Sequence, residues 1–161
     1  MTWQIIPLVR SLGGFRADWD TLSQRYYAGH PFCDSRLIEP LLRIFGTGLE
    51  HLCVHRSGDT IDGMVILAPA GRGVWRQFLP AQREVAITLI PDAALVNDLF
   101  GALPLGTWAI ELMNQDPEYA PRGLFSEASN RVFLQHTLTM NVSLAGDFDA
   151  YWNERPRNLA N

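Results

Sequence analysis

The sequence contains no lysine: all 13 of its cationic side chains are arginine. A GC-rich coding bias accounts for this more simply than selective use of arginine for two-pronged anion contacts. The arginines are scattered and are outnumbered by 17 carboxylates, leaving a net charge of −4. A surface that tracks phosphates needs clustered cations, so nucleic acid is excluded as the main partner. Cysteine is also scarce. Cys33 and Cys53 alone do not make a disulfide framework. The opening MTWQIIPLVR lacks the apolar core of about 7–15 residues that a secretion signal needs. No run of about 18 apolar residues exists to span a membrane. A reducing cytoplasm is therefore the expected location, and the sequon at Asn141 is read as chance. Internal repeats and low-complexity linkers are absent as well.

What remains is a chain of 161 residues, 47% hydrophobic and 19% charged, which is the composition of a globular domain with a sizeable core. Trp3 to Val9 reads as a first strand. Asp18 is expected to cap a helix carrying Trp19, Leu22 and Tyr26, and Pro31 breaks the chain after it. Ile38, Leu41, Leu42 and Phe45 fall at helical spacing and stop at Gly46 and Gly48. Pro40 lies inside that stripe and is expected to kink or split the helix.

A β region follows. HLCVHR and IDGMVILAP form a hairpin around SGDT, and VWRQFLP and EVAITLIP read as further strands. Asp92 should cap a helix containing Leu95, Leu99 and Leu103, ended by Gly101 to Pro104. TWAIELMNQ reads as the next strand, 116–129 as loop or a short helix, and RVFLQHTLTMNVSL as a long final strand or a pair. The order β-α-α-β-β-β-α-β-(α)-β implies an α/β fold (an α+β mixed sheet) with helices on both faces.

Several residues carry chemistry. His51, Cys53 and His55 alternate on one side of a strand and are candidate zinc ligands, although no fourth ligand is evident. The simpler reading is that Leu52 and Val54 face a core while these three pack or meet solvent on the other side, with no metal. Glu111 and Asn114 lie at a strand end, where α/β sheets often face ligands. Glu111 becomes a candidate general base if burial raises its pKa; an ordinary polar strand end is the plainer reading. His136 shares a face with Leu134 and Leu138, as a core or edge histidine does. Cys33 precedes a helix start, which lowers a thiol pKa, but nothing marks it as a nucleophile. GRG at 71–73 reads as a turn between strands rather than a phosphate loop.

The element order resembles the GNAT acetyltransferase fold. The segments WDTLSQ, HPFCDSRLIEPLLRIFG, HLCVHRSGDTIDGMVILAP, WRQFL, TWAIELMNQ and LAGDFDAYW together resemble the N-terminal half of the CelD-like family of cellulose-biosynthesis-type acetyltransferases. The resemblance implies a GNAT-like, mostly antiparallel sheet over residues 1–146. It also implies a tandem arrangement, with 147–161 opening a helix that leads into a second GNAT-like half. Pro156 departs from the family's continuous basic helix there. Acetyl-CoA is then the cofactor of the whole protein, and transfer to a polysaccharide or cell-envelope acceptor its reaction. In such a protein Arg76 and Arg83 would meet an anionic acceptor and Trp75 would stack on a sugar, with Asn114 nearby.

GNAT enzymes hold pyrophosphate on a Gly-rich turn at a helix N-terminus. The equivalent stretch here is LIPDAAL, which has no glycine, a proline without an N–H, and a carboxylate at Asp92. This half is therefore expected to bind no cofactor and to form one wall of the acceptor cleft. A stand-alone structural or protein-interaction module is the alternative, and a complete small-molecule N-acetyltransferase a third.

Overall fold

The computed structural model describes residues 2–80, 88–115, 117, 120–126, 128–134, 147 and 153. In chain order they form β1 (Thr2–Pro7), α1 (Arg16–Tyr27), α2 (Ser35–Phe45), β2 (His51–Ser57), β3 (Thr60–Gly71), β4 (Val74–Gln77), α3 (Ala93–Ala102) and β5 (Ala109–Glu111). The strands make one mixed sheet in the order β1-β2-β3-β4-β5. The first four pair antiparallel; β5 returns parallel to β4 after the α3 crossover. No helix among the described residues is long and apolar enough to cross a membrane.

Alternation along the central strands builds two cores. On one face Leu52, Val54, Met64 and Ile66 pack with Trp19 and Leu22 of α1 and with Ile38 and Leu42 of α2. On the other, Cys53, Val65 and Leu67 pack with Leu99 of α3 and with Leu103 just beyond it. Helices thus cover both faces of a mixed sheet, as the pattern of the sequence implied. Each large apolar side chain sealed in these layers contributes about 1.5–3 kcal/mol of transfer free energy.

Local chemistry sets the element ends. α1 begins without a side-chain cap, and Asp18 sits inside its first turn instead of capping it. A carboxylate there still meets the positive end of the helix dipole. α2 is capped by Asp34, whose carboxylate accepts the Arg36 N–H at 2.8 Å. Asp20 of α1 ties the two helices together by accepting the Ser35 N–H and hydroxyl at 3.0 and 2.7 Å. Pro40 does not split α2, which runs as one element from Ser35 to Phe45. A proline removes a single backbone bond, and buried Ile38 and Leu42 hold the helix on either side of it.

The β2–β3 hairpin turns on Gly58 (φ 64°) and Asp59. The strand expected over TWAIELMNQ shrinks to Ala109–Glu111. Of EVAITLIP only 88–91 are described, where Leu89 bridges Met64. Arg131 to Leu134 form no strand; the remainder of that expected strand, His136 included, lies outside the described residues, as does nearly all of the 147–161 segment.

Candidate functional site

The parallel β4–β5 pair brings two of the residues singled out in the sequence together. Arg76 and Glu111 are register partners, and the Arg76 Nε donates to Glu111 Oε2 at 2.5 Å. Their side chains are 50% and 42% exposed, so solvent screens the pair and its worth is positional more than energetic. Glu111 thus lacks the burial on which a role as general base depended. Asn114 follows in a left-handed turn (φ 48°), a conformation asparagine tolerates better than most residues. Arg83 lies outside the described residues.

Beside this pair stands an amide contact that the sequence did not announce. Gln77 is 5% exposed and accepts from Gln115 Nε2 at 2.7 Å. The same Nε2 donates to the Met113 carbonyl at 2.9 Å. Two acceptors around one amide nitrogen fix its orientation. The C-terminal ends of β4 and β5 therefore present the exposed Arg76–Glu111 pair on one face, while Gln77, next to Arg76 in the strand, points to the other face and is buried with its amide contact. Strand ends of a parallel unit are where polar ligands commonly meet α/β sheets.

Trp75 is not part of this surface. It is 7% exposed and packs in the α3-side core, its ring 5.2 Å from that of His51. The sugar stacking expected of it has no open ring face to use. Alternation along β4 explains this, because Trp75 and Arg76 must point to opposite faces.

His51, Cys53 and His55 do share one face of β2, but each has a separate environment. His51 Nδ1 lies 2.8 Å from the Leu49 carbonyl. Cys53 is sealed among apolar groups, and burial pushes its thiol up to about 12. His55 is 1% exposed, lies 5.0 Å from the Trp3 ring, and places Nδ1 2.5 Å from Asp62 Oδ1. Among the described residues no three His, Cys, Asp or Glu side chains gather as a metal site would need.

The His55–Asp62 contact depends on a bulge. His55 pairs with Gly63 and Arg56 with Ile61, so Asp62 is the extra residue. A bulge re-aims one side chain, here bringing a carboxylate to the imidazole on its neighbouring strand. The glycine after Asp62 was the available signal, since a lone glycine inside a strand marks a bulge or a close approach.

Three amides at the N-terminus of α3 are engaged. Asp92 accepts the Ala94 and Leu95 N–H groups at 3.0 and 3.1 Å, and the Ala93 N–H donates to the Arg122 carbonyl at 2.9 Å. These are the amides an anion would use at a helix start. Neither a protein-family model nor any curated protein or solved structure matches the chain.

Proposed function

We propose that the chain serves as a non-catalytic, GNAT-like half of a tandem acyl-CoA-dependent acyltransferase, forming one wall of the acceptor cleft. The observation that carries the non-catalytic part is the start of α3. A carboxylate and a neighbouring carbonyl already occupy the amides on which a pyrophosphate would sit, and Asp92 adds repulsion. The β4–α3–β5 parallel unit beside an antiparallel meander supports the GNAT-like reading.

In this reading the ends of β4 and β5 face the acceptor. Arg76 binds anionic or hydroxyl groups by donating hydrogen bonds, while Glu111 holds the guanidinium in place. Acetyl-CoA belongs to the second half, and the acceptor is a polysaccharide or cell-envelope precursor. A thermal-shift titration with acetyl-CoA tests this on the chain alone and on the full-length gene product. A shift only for the latter is expected; a clear shift for the chain alone overturns the assignment.

A second reading, a protein-interaction module, draws on exposed apolar side chains such as Ile44 at 71% and Leu49 at 57%. A stop codon directly after residue 161 of the gene favours it over the tandem enzyme.

A further inference from the structure

Trp108 stands just before β5, at the opposite end of the strand pair from Asn114. It is 69% exposed, yet both of its N–H groups are hydrogen-bonded. Its backbone N–H donates to the Gly73 carbonyl at 2.8 Å. Its indole Nε1 donates to the Arg72 carbonyl at 2.6 Å. The preceding turn is braced by the Thr107 N–H and hydroxyl, which both donate to the Pro104 carbonyl at 3.1 and 2.7 Å.

The seat itself is made of glycine. Gly73 (φ 69°) lies so close that a Cβ there would come within 2.2 Å of the Gly106 carbonyl oxygen and 2.7 Å of Trp108 Cδ1. Gly71 (φ 146°) and Gly106 (φ 93°) also adopt backbone conformations that other residues resist. Gly71 and Gly73 carry the tight β3–β4 turn, and the close approach of Gly73 leaves room for the Trp108 indole to lie against that turn while its ring stays mostly in water.

We propose that Trp108 is a saccharide-stacking platform, with Arg72 contacting the sugar's polar rim. A pyranose has an apolar C–H face that fits a flat indole and hydroxyl groups around its edge. The indole N–H is already satisfied, so the exposed part of the ring offers chiefly its apolar surface. Arg72 is exposed beside it, which disfavours cationic ligands and supplies donors for hydroxyl or carboxylate groups. The net charge of −4 disfavours a nucleobase on a polyanion. A docked peptide helix would need a groove of several apolar anchors, whereas the indole is seated on glycine backbone. The platform does not rest on the acyl-transfer reading, because binding needs neither a cofactor nor a second domain.

The test is an NMR titration of the whole chain with cellohexaose, chitohexaose and hexagalacturonate at millimolar concentration. The Trp108 indole N–H peak is identified by its loss in Trp108→Phe. It is expected to shift with at least one of the three. Trp108→Ala should weaken that binding at least about tenfold, as loss of an aromatic anchor does, while Trp108→Phe retains part of it. Leu105→Ser, on the same loop, should leave it intact.

Absence of a shift with all three saccharides overturns the proposal. So does unweakened binding by a folded Trp108→Ala variant. Where that variant fails to fold, the titration and Trp108→Phe decide: undiminished binding by the latter without any ring-current shift overturns the platform. Self-association abolished by both Trp108→Phe and Leu105→Ser, with no saccharide binding, assigns the surface to a second copy of the chain instead.

Discussion

Asp62 reaches the Nδ1 of His55 at 2.5 Å across a β-bulge, although the two residues are not register partners. The imidazole is sealed beneath Trp3 and above Gly63. Removing the carboxylate leaves a buried ring nitrogen unsatisfied. Asp62→Ala is therefore expected to cost about 1–3 kcal/mol in urea unfolding. Asp62→Asn should cost less, because an amide still offers a hydrogen-bond group. Gly63→Ala should destabilise the same spot by crowding, since its Cβ would lie 3.3 Å from His55 Cβ and 3.4 Å from Trp3 Cη2.

The cap on α3 gives a second expectation. Asp92→Ala frees two amides at the helix start and should cost about 1 kcal/mol, whereas Asp92→Ser should keep most of the parent's stability. Guanidinium titrations of the variants measure it. Equal stability of Asp92→Ala and the parent would show that the cap contributes nothing.

Glu50 predicts an acid-sensitive turn. Burial by itself raises the carboxyl pKa. Hydrogen bonds from the Thr47 N–H and hydroxyl and from the Gly48 N–H outweigh that effect and leave it below the ordinary 4.5. The folded-state pKa is thus lower than the unfolded one. The stabilisation is present above the ordinary value and is lost as pH falls through the depressed one. Glu50→Gln should be less stable than the parent at neutral pH, and the gap should narrow on acidification below pH 4.5. A gap independent of pH would assign the turn's stability to packing.

Both thiols should be silent in the folded protein. Cys33 and Cys53 are fully buried, and the thiolate of Cys53 is strongly disfavoured by its apolar surroundings. An aromatic disulfide reagent at pH 8 should titrate neither thiol natively and both in denaturant. Rapid native reaction at either position would mean that the surrounding layer opens locally.

Arg76 and Glu111 make a surface pair whose removal should hardly affect folding. A double-mutant cycle with Arg76→Ala and Glu111→Ala should give a coupling of about 0.2–1 kcal/mol. In the acyltransferase reading, Arg76→Ala weakens acceptor use by the full-length protein while its melting temperature stays close to that of the parent. Unchanged acceptor kinetics would remove Arg76 from the cleft.

Much of the architecture was legible in residue order alone. The alternation of Leu52 and Val54 against Cys53 and His55 follows from the two-residue period of a strand, and Asp92 from the chemistry of a helix start. The stripe of α2 was equally plain, and its proline misleads only because tertiary packing outweighs one missing backbone bond. What the sequence could not specify is which polar residues meet. Trp75 and Trp108 look alike as letters, but strand alternation buries one, while a turn of glycines seats the other in water. Asp62 finds His55 through a bulge whose register appears only when both strands are paired, and Gln115 finds Gln77 through the parallel return of β5. Local periodicity determined the layers of this protein. The contacts between distant positions were decided by the tertiary structure, because they depend on backbone geometry that no local pattern encodes.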